Sequence, residues 1–151
     1  MTYDCQNEKA NSTSAYRIVL GKCYYIQIRG CPLPTGDGCT YKEAENLCKT
    51  IFGPTVGGKI FEPTTLKINN EVLKVAKNLF GEWNYWIGVK SGNNKYKSNG
   101  KPVLFDAWTS GFPYHPNDPK YCTRAYSGTW KWHDYRSCSY TDGYTICETS
   151  L

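Results

Sequence analysis

The sequence predicts an α+β domain in which two helices pack on short antiparallel sheets, with a long irregular loop and four disulfides. Three observations predict it. The chain has eight cysteines in 151 residues. Two segments space their apolar residues as helices do, and several short aromatic and β-branched runs are separated by turn residues. We expect residues 1–15 to be a polar N-terminal segment pinned by Cys5 and residues 16–151 to form one domain.

The cysteines and the charge limit the classes of function. No two cysteines form the close C-x-x-C pair that is typical of zinc sites, so we expect disulfides in an oxidising compartment. The net charge of +5 is spread along the chain without a basic stripe, which does not favour nucleic-acid binding. No segment is apolar enough to span a bilayer. We expect a mature, secreted, extracellular chain.

The first half of the sequence contains strand and helix signals in turn. Residues 16–28 read as one or two strands around a Gly-Lys turn, and residues 29–39 form a turn-rich segment. Thr40 is an N-cap and Glu43 completes a capping box, which predicts a helix whose apolar face includes Cys48. A second helix is predicted after residue 63, and Gly81 ends it.

The second half of the sequence is more irregular. Residues 84–89 read as a buried strand. Residues 90–121 have little periodicity, and such long irregular segments are usually functional. They end in GFPYHPNDPKYC, where three prolines exclude regular structure. The segments YCTRAY, TWKWHDY and GYTICE then read as three short strands.

This order of elements resembles the C-type lectin-like domain in its long form, over residues 5–149. The resemblance rests on Cys23-Tyr24-Tyr25, the helix TYKEAENLC, Gly57-Gly58, Trp86-Ile87-Gly88-Val89, Trp108 with Gly111, Trp132-His133-Asp134 and GYTICE. Sequence alone would allow 105 cysteine pairings. The resemblance implies Cys48 with Cys147, Cys122 with Cys138 and Cys5 with Cys23, and it leaves Cys31 for Cys39.

Sugar-binding members of that family hold calcium through carboxylates and amides, because calcium takes six to eight hard oxygen ligands. When Trp108 and Gly111 set the register, the first ligand motif falls on Phe112-Pro113-Tyr114, the next Glu on Lys120, and the Asn of Trp-Asn-Asp on His133. Only Asp134 remains as a ligand. The resemblance therefore implies that calcium does not bind at the usual site.

A second register uses His115-Pro116-Asn117 as the ligand motif and recovers Asn117, but it still lacks paired carboxylates. Asn117 and Asp134 are the remaining metal candidates, and we expect no cofactor. A histidine-plus-carboxylate set that accepts zinc is a minor alternative. The family also implies a cis peptide before Pro113 or Pro116.

We expect an extracellular recognition module, with a calcium-independent carbohydrate-binding domain as the leading hypothesis. Aromatic faces stack on sugar C–H groups, and polar side chains hydrogen-bond hydroxyls. The ligand-binding candidates are Tyr114, His115, Asn117, Lys120, Trp132, His133, Asp134 and Tyr135. The alternative is a protein- or surface-binding member of the family, such as a receptor ligand, a venom-like component, an antifreeze protein or a mineral-associated protein. An enzyme is not expected, because no catalytic pair can be identified.

Several candidates have a structural interpretation as well. Trp86, Trp108 and either Trp130 or Trp132 are candidate core residues. Both histidines can be ordinary surface residues, and Asp134 can pair with Lys120 or Arg136. The sequence does not name the ligand, it leaves a homo-oligomer open, and it does not decide whether the sequon at Asn11 is glycosylated.

Overall fold

The computed structural model describes residues 3–31, 38–92, 95–98, 101–102 and 105–149. Within these residues the chain forms three helices and ten strands. The helices are α1 (Tyr3–Gln6), α2 (Tyr41–Thr50) and α3 (Leu66–Phe80). The strands are β1 (Ser14–Val19), β2 (Lys22–Gln27), β3 (Gly58–Ile60), β4 (Asn84–Ile87), β5 (Val89–Gly92), β6 (Lys95–Ser98), β7 (Lys101–Pro102), β8 (Thr123–Tyr126), β9 (Lys131–His133) and β10 (Tyr144–Thr149).

The strands form two sheets, one of seven strands and one of three. The larger sheet has the order β1-β2-β10-β4-β8-β9, with β3 paired to β10, and its only parallel pair among the described strands is β10 with β4. Strands β5, β6 and β7 form a separate three-stranded antiparallel sheet. The fold is therefore α+β, as the sequence predicts, with the additional short helix α1.

Local sequence signals account for the helices and the first hairpin. The Thr40 hydroxyl accepts the Glu43 N–H at 3.1 Å, and the Glu43 carboxylate accepts the Thr40 N–H at 2.8 Å, so the predicted capping box is confirmed. Gly81, at φ +89°, ends α3 as predicted. The hairpin turn is Leu20-Gly21, one residue earlier than the predicted Gly-Lys turn, and both residues have the positive φ that a two-residue hairpin turn requires.

The predicted cysteine pairing is confirmed in all four bridges: Cys5–Cys23, Cys31–Cys39, Cys48–Cys147 and Cys122–Cys138. Apolar side chains pack in two clusters, one that includes α3 and one that includes α2 and most of the cysteines. No helix within the described part of the chain is long and apolar enough to cross a membrane. The proposed division at residue 16 remains a prediction, and β1 begins two residues before it, at Ser14.

The segment predicted as wholly irregular is partly ordered. Residues 90–121 contain β6, β7 and most of β5, whose residues are mainly polar and so lack the alternation that predicts a strand. From residue 105 to residue 121 the described chain has no strand or helix, as expected, and is held by isolated bridges from Trp108 to Trp132 and from Tyr121 to Ser137.

Candidate ligand-binding surface

The proline-rich loop of residues 111–121 is anchored near both ends to β9 and to the segment that follows it. At its start, the Thr109 N–H donates to the Trp132 carbonyl at 2.8 Å. At its end, the Cys138 N–H donates to the Lys120 carbonyl at 2.9 Å, next to the Cys122–Cys138 bridge. Residues 111–121 and 132–138 therefore form one surface.

Asp134 binds the backbone in the middle of this loop. Its carboxylate is only 3% exposed, and it accepts the N–H of Tyr114 at 2.6 Å and the N–H of His115 at 2.9 Å. The considered pairing of Asp134 with Lys120 or Arg136 does not form; Arg136 instead pairs with Asp142 at 3.3 Å. Both carboxylate oxygens therefore accept a hydrogen bond from the loop backbone. Such bonds are strong, because the acceptor is charged.

The residues present do not fit a calcium ion at the family's usual position. The cis peptide expected before Pro113 or Pro116 is found at Phe112–Pro113. A phenyl ring supplies no oxygen ligand, the Lys120 ammonium repels a cation, and Asp134 is already occupied. The described residues contain no group of three or more His, Cys, Asp or Glu side chains that could hold a metal.

Aromatic rings occupy the loop instead, and we call Phe112, Tyr114, His115 and Tyr121 the loop platform. The Phe112 and Tyr114 rings stack at 3.9 Å between centroids, and the His115 and Tyr121 rings stack at 3.5 Å. Tyr114 is 58% exposed, while the other three rings are half-buried. The platform is thus a partly exposed aromatic surface supported by a buried carboxylate.

The polar residues of the loop lie at its exposed tip. Asn117 has φ +71°, a conformation that asparagine tolerates better than most residues. Asp118 accepts the Lys120 N–H at 3.0 Å. Asn117 and Lys120 are both exposed, so their amide and ammonium groups are accessible to a ligand.

His133 lies beneath the surface, contrary to its interpretation as a surface histidine. It is 7% exposed, stacks on Tyr135 at 4.5 Å, and its Nε2 lies 2.7 Å from Oδ1 of Asn84. Burial, and then the positive charges of Arg124 and Arg136, lower the pKa of His133 from 6.5 to about 3. The ring is neutral at physiological pH, and since the amide oxygen of Asn84 is an acceptor, we assign the proton of this bond to Nε2.

Trp132 is a core residue. It is fully buried, its Nε1–H donates to Asn69 at 2.8 Å, and it packs edge-on against Trp108. A fully buried ring offers no surface to a ligand, so Trp132 lies outside the site although the sequence made it a candidate. Trp86 and Trp108 are buried as expected, and Trp130 is half-buried.

Sequence reasoning missed a stack of alternating aromatic rings and guanidinium groups beside the loop. The Arg124 guanidinium lies 5.6 Å from the Trp86 ring and 5.1 Å from the Tyr135 ring, and it is 2% exposed. The Arg136 guanidinium lies 5.2 Å from the Tyr135 ring and 5.0 Å from the Tyr140 ring. Because cations attract ring faces, the stack fixes the position of Tyr135.

One carboxylate serves both guanidinium groups of this stack. Asp142 pairs with Arg124 at 3.1 Å and with Arg136 at 3.3 Å. Burial lowers the pKa of Arg124, and the charge of Asp142 acts in the opposite direction. No sequence pattern identified Arg124, since it lies in a strand of only four residues, between Thr123 and Ala125.

The eight candidates therefore fall into two groups. Tyr114, Asn117, Lys120 and Tyr135 are exposed and His115 is half-buried, so these five can contact a ligand. Trp132, His133 and Asp134 are buried and support the surface from below.

Comparisons with known proteins agree with this architecture. A family model described as Lectin C-type domain matches residues 37–149. No curated protein matches the chain. Three similar solved structures are SPL-1 in complex with GlcNAc, the Ca²⁺-independent C-type lectin SPL-2 from Saxidomus purpuratus, and the C-type lectin CEL-I from Cucumaria echinata.

The similarity to these structures lies in the fold. SPL-1 aligns with a TM-score of 0.65 at 18% identity over 97% of this chain and 96% of its own. SPL-2 aligns with a TM-score of 0.62 at 20% identity over 88% and 89%, and CEL-I with 0.63 at 14% over 99% and 97%. The family match spans most of the sequence and contains the whole loop surface. The chain belongs to the C-type lectin domain family.

Proposed function

We propose that this chain is a secreted, non-catalytic, calcium-independent carbohydrate-binding module whose ligand meets the loop platform. One observation carries the proposal: Asp134, the last carboxylate of the family's calcium set, is buried and bound to the backbone of Tyr114 and His115. The loop is held in place by a side chain of the protein, so a metal ion is not needed for that purpose.

The exposed residues have the chemistry that sugars require. The Tyr114 ring offers an apolar face for sugar C–H groups, and Asn117, His115 and Lys120 offer hydrogen-bonding groups for hydroxyls or acetamido groups. Tyr135, 41% exposed and held by the arginine stack, borders the same surface. Trp132, His133 and Asp134 act in this proposal as positioning residues.

The comparisons support this reading. One similar structure is described as a complex with GlcNAc and another as a Ca²⁺-independent C-type lectin. A calcium-independent site therefore has a precedent on the same fold. The four disulfides support a secreted, extracellular location, because such bridges persist in oxidising environments.

A glycan array tests the proposal when it is run once with calcium and once with EDTA. We expect binding of equal strength in both conditions. Tyr114→Ala should abolish it, whereas Leu66→Ala should not, because Leu66 is an exposed apolar residue on α3, outside the loop and the arginine stack. Binding that is lost in EDTA would contradict calcium independence, and binding that survives Tyr114→Ala would contradict the assigned surface.

A protein partner is the second candidate, and a specific observation favours it. Tyr114, Tyr135 and Tyr140 are exposed, and Arg136 is 42% exposed, which is the composition of many protein-binding surfaces. An array without binding in either condition would favour this alternative. The Tyr114→Ala and Tyr140→Ala variants would then be compared with the wild type in binding to extracellular proteins.

A further inference from the structure

A cavity lies beside the loop platform, next to strands β4, β8 and β9, and we call it the strand cleft. It has a volume of about 350 Å³ and is lined by Asn84, Thr109, Tyr126, Thr129, His133 and Tyr135. This volume is at the lower end of the range of small-molecule sites, roughly 300–1,000 Å³, and suits a single sugar ring.

The strand register explains why these residues meet. Asn84 of β4 is paired with Tyr126 of β8, and Arg124, two residues before Tyr126, is paired with His133 of β9. Paired residues and residues two apart share a sheet face. Asn84, Tyr126 and His133 therefore project to one side, and Thr109 and Thr129 provide exposed hydroxyls at the rim.

His133 sets the orientation of the Asn84 amide. Its neutral ring donates Nε2–H to Asn84 Oδ1 at 2.7 Å. With the oxygen on the His133 side, the amide nitrogen Nδ2 and its two donors are on the other side of the Asn84 amide. The Nδ1 atom of His133 is itself covered, so a ligand meets Asn84 and not the imidazole.

We propose that the strand cleft binds one neutral, polyhydroxylated ring, such as a monosaccharide, and that Asn84 Nδ2 donates a hydrogen bond to it. The lining residues offer an amide, hydroxyl groups and two tyrosine rings, the groups that recognise sugar hydroxyls and C–H faces. None of them carries a charge, since His133 is neutral. An ionic ligand would have no counter-charge in the lining, which favours a neutral one.

This inference goes beyond the loop platform, and the two sites meet at Tyr135, which lines the cleft and borders the loop surface. The two sites have separate reporters, because the chain has only two histidines. His115 belongs to the loop platform, and His133 belongs to the cleft with Asn84. Nitrogen-15-labelled protein therefore allows both sites to be followed in one titration by NMR.

The experiment titrates labelled protein in EDTA with free mannose, galactose and N-acetylglucosamine in turn. We expect at least one sugar to produce a saturable shift of the Asn84 side-chain amide. Thr109→Leu should fill the rim and weaken this binding by about tenfold or more. Ser110→Leu, at the neighbouring exposed position outside the cleft, should leave it unchanged.

A second variant tests the donor directly. Asn84→Asp keeps an oxygen for His133 but removes the amide N–H groups, so we expect a folded protein in which the His133 ring no longer responds to the sugar. The proposal is overturned if no sugar shifts the Asn84 amide, if Thr109→Leu and Ser110→Leu bind equally, or if Asn84→Asp binds like the wild type.

The outcomes separate the cleft from the proposed function. Shifts at His115 with Asn84 unchanged would support the loop platform and overturn the cleft. Shifts at Asn84 that persist in Tyr114→Ala would support the cleft. If they occur without binding on the glycan array, they would support the cleft while contradicting the proposed loop site.

Discussion

The carboxylate of Asp134 accepts the backbone N–H of Tyr114 at 2.6 Å, across 20 residues of sequence. A second bond, from the N–H of His115, uses the other oxygen. In a family whose members hold calcium with this aspartate, the same side chain here holds the loop. The two hydrogen bonds of Asp134 therefore fix the conformation of the loop.

Asp134→Asn should destabilise the protein and loosen the loop. The amide keeps one acceptor oxygen but presents an N–H group to a backbone donor, so we expect a loss of about 1–3 kcal/mol in the free energy of unfolding. Urea unfolding measures this loss, and hydrogen exchange at Tyr114 and His115 should become faster. Asp118→Asn, in the same loop but exposed, should cost less than about 0.5 kcal/mol. Equal effects of the two variants would contradict this assignment.

The pH dependence of stability should reflect His133. Unfolded His133 binds a proton near its ordinary pKa of 6.5, whereas folded His133 does so only near pH 3. Between these values the unfolded state binds more protons, so stability falls as pH is lowered, by up to about 1.4 kcal/mol per pH unit. Unfolding from pH 7 to pH 5 measures this slope. His133→Gln should reduce it and His115→Gln should retain it; equal slopes in all three proteins would refute the prediction.

The arginine stack should contribute more stability than an exposed ion pair. Arg124→Lys keeps the charge but loses the planar group between Trp86 and Tyr135, and we expect a loss of about 2 kcal/mol in urea unfolding. The matched control is Arg17→Lys, whose partner Glu8 is exposed, and it should cost under about 1 kcal/mol. If the control costs as much as Arg124→Lys, the stack has no special contribution.

Two disulfides should differ in what their removal costs. Replacing both Cys48 and Cys147 with Ser opens a loop of 99 residues, and the entropy model gives a loss of about 4–5 kcal/mol. The same change at Cys122 and Cys138 opens 16 residues and should cost about 3 kcal/mol. Chemical unfolding of the two double variants measures both losses and shows which is larger. The second variant, examined while folded, should also lose ligand binding, because its bridge anchors the loop; unchanged binding would argue against that role.

Much of the fold was predictable because its signals are local. The capping box of α2, the Gly81 terminus of α3 and the hairpin of β1 and β2 depend on residues within a few positions of one another. The small sheet of β5, β6 and β7 was missed because its strands lack apolar alternation. The Asn-Gly dipeptide at residues 99–100 is typical of hairpin turns. Such a dipeptide predicts a hairpin only when alternating apolar residues flank it, and here the flanking residues are mainly polar.

The sequence by itself determined the number of cysteines, the start of α2, the end of α3, and the presence at positions 112 and 120 of Phe and Lys, which cannot ligate calcium. These follow from residue type and spacing. Only the tertiary structure decided that Asp134 is occupied by the loop backbone and that His133 and Trp132 are buried. Likewise, only it placed Arg124 over two aromatic rings and brought Asn84 next to His133. These properties depend on contacts between residues far apart in the chain, and no local pattern encodes them.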